Sequence, residues 1–198
     1  MSAATSTRTR VCHLVAPAPY GGLESVLEAL IPAQAAAGHD VTVLAIFASD
    51  PAGQPFWESI ARTGVRAIPK VLPGRQYRRE RGEVRAALEA TGAQVLHTHG
   101  YRPDVIDAPV ARAAGVATVT TVHGFTGGGL RNRLYEWVQR RAFRRFDAVV
   151  AVSDRLREEL VAAGVAPERV NAVRNAWRPS APQLPPGEAR ERLGLPVG

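Results

Sequence analysis

Short, almost unbroken apolar runs alternate along the chain with longer stretches in which apolar residues recur every three or four positions. Val11 to Ala16 and Val41 to Phe47 are runs of the first kind, and such runs suit strands covered on both faces, as in a parallel sheet. The stretch from Leu23 to Ala37 is of the second kind: Leu23, Val26, Leu27, Leu30 and Ile31 share a helical face, and Gly38 supplies a stop. The same reading gives strands over Val65 to Ile68, Val95 to His99, Ala117 to Val122, Asp147 to Val152 and Val170 to Arg174. Helices are expected over Gln54 to Thr63, Arg75 to Thr91, Asp104 to Ala114, Leu130 to Arg145, and from a Ser153 cap to Ala163. This alternation predicts a doubly wound parallel α/β sheet of about seven strands, ordered 3-2-1-4 beside the first turn, with ligands at the carboxyl ends of the strands.

The unit from Val11 to Leu30 organises the rest. Its strand breaks at Pro17-Ala-Pro-Tyr-Gly21-Gly22 and restarts as a helix, so backbone N–H groups and a helix N-terminus converge where a phosphate or a sugar hydroxyl could sit. Residues 1–9 are small and polar and are expected to form a disordered tail, and residues 10–176 read as one domain. Pro179, Pro182, Pro185 and Pro186 then mark a linker, and Glu188 to Leu193 begins a helix too short to fold alone. Residues 177–198 are therefore expected to be a linker and the start of a second domain.

Composition narrows the partners. With 198 residues, 45% of them hydrophobic, the chain can bury a core. Cys12 is the only cysteine and is expected as a buried thiol, so no intrachain disulfide can form. No apolar run reaches the roughly 18 residues of a membrane span, and Arg8-Thr9-Arg10 precedes a poor signal sequence, which makes a cytoplasmic protein the expectation. The net charge of +7 is almost all arginine, Lys70 being the only lysine, and favours anionic partners such as phosphates, lipid headgroups or nucleic acid without naming one.

Several chemistries lose their support. There is no P-loop, no G-x-G-x-x-G turn, no paired-cysteine zinc pattern and no G-x-S-x-G elbow. His97 and His99 share a strand face and, with Asp104 and then Asp107 or His123, could make a metal-dependent hydrolase; otherwise one packs at the sheet end and the other bonds a loop. His13 and His39 read as structural. His123 closes a strand and heads the glycine-rich loop Gly127 to Gly129, a position that argues for a direct role although lone histidines are more often structural.

Gly21-Gly22-Leu-Glu24, Gly38-His39-Asp40-Val41, His97-Thr-His99-Gly100, Thr121-Val122-His123-Gly124, Val152-Ser153-Asp154 and Val173-Arg-Asn175, taken in order, resemble the N-terminal half of a GT-B glycosyltransferase of family 4. Arg192 to Pro196 resembles that family's entry into its second domain. The resemblance implies a retaining transferase that moves a sugar from a nucleotide-sugar donor to an acceptor hydroxyl between two Rossmann-like domains, without a cofactor and usually without a metal. No nucleic-acid partner is expected. His123 would match the family's active-site histidine, and Gly21, Gly22, Glu24, His99, Gly124, Ser153 and Asn175 would lie along its substrate side. Asn175-Ala176-Trp177 departs from the family's usual Asn-Gly, and the family's donor-binding basic residue and paired glutamates belong to a second domain that these residues do not contain.

Half an enzyme is the implication, and the chain alone is expected to be inactive. The alternative is a single-domain module of the same fold that binds a sugar or a partner subunit. Arg75, Arg78, Arg79, Arg81 and Arg85 on one predicted helix, and Arg131, Arg133, Arg140, Arg141, Arg144 and Arg145 on another, interleave with Tyr77, Leu134, Trp137 and Phe143. These are either solvated faces or a peripheral contact with an anionic membrane bearing a lipid-linked acceptor.

Overall fold

A computed structural model of the chain describes residues 8–18, 21–125, 127–175 and 184–196. Strands β1 (Arg10–Val15), β2 (Asp40–Phe47), β3 (Arg66–Val71), β4 (Val95–His99), β5 (Ala117–Val122), β6 (Ala148–Ala151) and β7 (Val170–Ala172) alternate with helices. The helices are α1 (Gly22–Ala36), α2 (Pro55–Arg62), α3 (Tyr77–Thr91), α4 (Ala108–Ala113), α5 (Leu130–Phe143) and α6 (Asp154–Ala162), with α7 (Pro186–Arg192) after the sheet. All seven strands pair in parallel in the order β3-β2-β1-β4-β5-β6-β7, the doubly wound arrangement that the alternation implies.

Pleating sends alternate residues to opposite faces, and both faces are apolar where helices cover them. Val15, Val43 and Phe47 pack with Leu27 and Ile31 of α1 and Phe56 and Ile60 of α2. On the other face Leu14, Leu44, Ile46 and Leu96 meet Val84 and Leu88 of α3, while Val122 and Val149 meet Phe143 and the α6 residues Leu156 and Leu160. Each such fully buried side chain contributes about 1.5–3 kcal/mol relative to exposure. Cys12 lies in this interior, and burial pushes its thiol up to about 12, so it is inert packing.

Three expectations change. Thr9, placed in the expected tail, already belongs to the sheet end, because Asp40 donates its N–H to the Thr9 carbonyl at 3.0 Å; residues 1–7 of that tail lie outside the described residues, as do residues 176–183 of the proline-rich stretch. Strand β3 runs beyond Ile68 to Val71, since it sits at the sheet edge where Pro69 and Lys70 are tolerated. The helix expected from Asp104 to Ala114 opens instead as a wider π turn over Pro103–Asp107, in which Ala108 donates to the Pro103 carbonyl. Pro109 has no N–H to give to Val105, so the normal ladder cannot form there.

Candidate functional site

The chain connections diverge between β1 and β4, and the loops at their carboxyl ends, with that after β5, enclose a cavity of about 370 Å³. Leu23 at the start of α1, Gly100 and Tyr101 after β4, and Thr121, His123, Gly124 and Phe125 around the end of β5 form part of the wall. Helix α5 forms the rest with Asn132, Tyr135, Glu136 and Gln139, a stripe at i, i+3, i+4 and i+7 that puts four polar side chains on one helix face. The loop is tied to this helix: Gly127 N–H donates to Glu136 Oε1 at 2.8 Å, and Asn132 Nδ2 donates to the Gly127 carbonyl at 3.1 Å. Gly124 (φ 129°) and Gly127 (φ 63°) hold left-handed conformations that a side chain would strain.

His123 is half-buried in this wall, and its buried Nε2 has no hydrogen-bond partner among the described residues. Burial holds its imidazole below the ordinary histidine range, with the Glu24 carboxylate pulling the other way. The ring is therefore neutral near pH 7, with one free nitrogen available to a ligand.

Glu24 is itself buried and accepts the Ala18 N–H at 2.9 Å, which anchors the loop before α1. Gly21 is extended rather than left-handed, and what it supplies is space: a Cβ there would stand 2.5 Å from Glu24 Oε2. Gly21→Ala is expected to push Glu24 off the Ala18 N–H and cost about 1 kcal/mol, the worth of one hydrogen bond. Urea unfolding measures this, and an unchanged midpoint would show that Glu24 relaxes freely. Gly22 is the first residue of α1 and is exposed.

The remaining residues singled out in the sequence are dispersed. Ser153 caps α6, its Oγ accepting the Leu156 N–H at 3.2 Å, and it is not among the cavity-lining residues. Asn175 lines a separate apolar cavity of about 300 Å³ between α1 and the sheet, together with Gln34, His97 and Val173. His99 is 1% exposed and lies behind His123, their ring centroids 6.4 Å apart.

His97 and His99 do share a face, but their company differs from the expected one. Asp104 bonds Thr98 and Thr120, whose side chains point to the opposite face, and Asp107 lies against the pair formed by Glu80 of α3 and Arg102, where burial and then the Glu80 charge push its carboxyl well up. The third member is His13, read from sequence as purely structural. His13 pairs with His97 in the β1–β4 register, and its Nδ1 is 3.0 Å from His99 Nε2.

The profile of glycosyltransferase family 4 matches residues 20–179. The chain belongs to glycosyltransferase family 4. It has the Rossmann-like sheet of the N-terminal half of the GT-B architecture, and solved structures resemble it in fold. Alr3699/HepE of Anabaena in complex with UDP is 15% identical with a TM-score of 0.71, over 94% of this chain and 50% of that one. A glycosyltransferase of Rickettsia africae is 14% identical with a TM-score of 0.68, over 96% and 50%. A structure described as a putative UDP-N-acetylglucosamine 2-epimerase, from Listeria monocytogenes, is 10% identical with a TM-score of 0.63, over 83% and 44%. This family 4 chain thus spans about half the length of the structures it matches. No curated protein matches it.

The cavity residues missed in the sequence are Tyr101, Asn132, Tyr135, Glu136 and Gln139. The α5 stripe is present as a spacing, but the six arginines of the same segment mask it with charge. His13 could have been found only through the β1–β4 register, which pairs it with His97.

Proposed function

We propose that this chain is the acceptor-side half of a retaining glycosyltransferase that moves a sugar from a nucleotide-sugar donor to an acceptor hydroxyl, with no cofactor. The observation that carries the reading is the 370 Å³ cavity at the strand ends, in a family 4 chain, with the free Nε2 of His123 in its wall. Polar groups on α5 and the aromatic rings of Tyr101 and Tyr135, 5.1 Å apart, suit a sugar's hydroxyls and its apolar ring face. The choice of donor is supported by the complexes of HepE with UDP and with UDP-glucose. Transfer builds positive charge on the sugar ring and negative charge on the departing phosphate, and a neutral imidazole donating one hydrogen bond can hold the sugar in reactive geometry.

The donor half of the cleft lies outside these residues. Residues 1–198 alone are expected to release no nucleotide from UDP-glucose or other nucleotide sugars, whereas the same residues joined to a donor-binding domain are expected to do so. Turnover by the isolated chain would overturn the division of labour, and silence of the joined protein on every donor would favour a non-catalytic sugar-binding module.

An acceptor anchored in lipid fits the surface beside the cavity, at the cytoplasmic side of a membrane. Helix α5 turns Asn132, Tyr135 and Glu136 to the cavity and leaves Leu130, Leu134 and Trp137 at 85%, 57% and 60% exposure among Arg131, Arg133 and Arg141. No described helix is long and apolar enough to cross a membrane, so contact here would be peripheral. Exposed apolar groups within a basic face suit anionic headgroups. Co-sedimentation with vesicles containing phosphatidylglycerol is expected, weakening with salt, and binding indifferent to both lipid charge and salt would remove the electrostatic contact.

A further inference from the structure

The site described above uses His123 and leaves three other buried imidazoles without a task. His13, His97 and His99 are 0%, 7% and 1% exposed on the α1 face of β1 and β4, where the chain connections diverge. One ring nitrogen from each lies within 4.8 Å of the others.

We propose that His13, His97 and His99 form a buried site for one zinc-class divalent cation, which staples β1 to β4 behind the substrate cavity. The ring orientations fit. His13 Nε2 is 2.6 Å from Gln34 Oε1, which takes its N–H and turns Nδ1, the lone-pair nitrogen, toward His99 Nε2 at 3.0 Å. His97 Nε2 is 2.8 Å from Thr121 Oγ1. Ligating histidines ordinarily hold their second nitrogen against such an oxygen, which fixes the tautomer.

Two imidazole nitrogens at 3.0 Å need a proton or a cation between them. A proton satisfies that pair but gives His97 no part in the cluster. A cation engages all three rings. Ligand nitrogens around tetrahedral zinc stand about 3.4 Å apart, given a Zn–N distance of about 2.0–2.1 Å, so the cluster closes by small ring rotations. An all-imidazole set selects zinc, copper or nickel over magnesium or calcium. Burial also holds the three rings below the ordinary histidine range, in the neutral form that binds metal. His97 lines the 300 Å³ cavity beside α1, from which water can reach a fourth position.

The role is structural. His99 backs His123 at 6.4 Å between ring centroids, so the cation would fix the platform on which the cavity histidine stands without touching the sugar. Hydrolysis is not implied.

The test uses tag-free chain stripped with chelator and titrated with Co²⁺ and Zn²⁺. One equivalent of Co²⁺ is expected to give the visible absorption of a tetrahedral site. One equivalent of Zn²⁺ is expected to displace it and to raise the unfolding midpoint by several degrees, reversed by chelator. His13→Asn and His99→Asn are each expected to weaken zinc binding at least tenfold, with His39→Asn unchanged as a control. If the cluster variants do not fold, the wild-type cobalt titration decides alone. No stoichiometric cobalt spectrum in the wild type, or undiminished binding in folded His13→Asn and His99→Asn, overturns the site.

Discussion

His123→Ala, made in the complete transferase, is expected to lower turnover about a hundredfold or more while leaving the unfolding midpoint close to wild type. The activity loss follows from removing one positioned hydrogen-bond donor from a charge-developing site, typically about 2.7–4 kcal/mol in the barrier. The retained stability follows from the structure. The ring is only half-buried, and its Nε2 bonds no described residue, so truncation strands no partner there. Burial already holds the imidazole neutral at pH 7, so the wild-type rate is not expected to fall as pH rises from 7 to 8 through loss of a charge on this residue. The paired measurement is turnover with the chosen donor and thermal unfolding of the same preparation. Near-normal turnover would take His123 out of the mechanism, and a matching loss of stability would make it a structural residue.

What could be read from sequence divides along a physical line. Strands covered on both faces announce themselves as almost unbroken apolar runs, which is why β1 and β2 lie within a residue of their expected bounds. The order 3-2-1-4 followed from analogy with folds built of two βαβαβ halves. The sequence gives no register, however, and register brings His13 beside His97. Nor could it show which oxygen already has a partner. Ser153, expected as a helix cap and along the substrate side, is that cap; Gly21, expected beside a phosphate, also makes room for Glu24. Asp104 looked like a metal ligand for His97 and His99, though the alternation of the strand already set Thr98, its actual partner, on the other face.

Asp104 carries the second large effect. Its Oδ1 accepts from Thr98 Oγ1 at 2.6 Å and Thr120 Oγ1 at 2.8 Å, and its Oδ2 accepts from Gln139 Nε2 at 2.7 Å. One carboxyl thus joins β4, β5 and α5, and Gln139 carries that order into the cavity wall. Asp104→Ala is expected to destabilise the fold by about 3 kcal/mol, because a buried donor left unpaired costs about 1–3 kcal/mol and only Thr98 has a second acceptor, the Val119 carbonyl at 3.3 Å. Asp104→Asn keeps the shape and isolates the charge. Burial raises the Asp104 carboxyl to about 6, against the lowering effect of its three hydrogen bonds. A carboxyl whose folded pKa lies above its unfolded value takes up a proton more readily when folded. Its contribution to stability is therefore full below about pH 4 and is lost as pH rises through about 6. A shift of about two units corresponds to at most about 3 kcal/mol. Acidification from pH 7.5 to 4.5 protonates the histidines of the unfolded chain while burial disfavours the same protonation in the fold, a common loss that cancels in the comparison. The wild type is thus expected to lose less stability than Asp104→Asn over that interval, by about 1–2 kcal/mol in urea unfolding. Equal losses in the two proteins would mean that the Asp104 carboxyl keeps an ordinary pKa despite its burial, held there by the three donors that surround it.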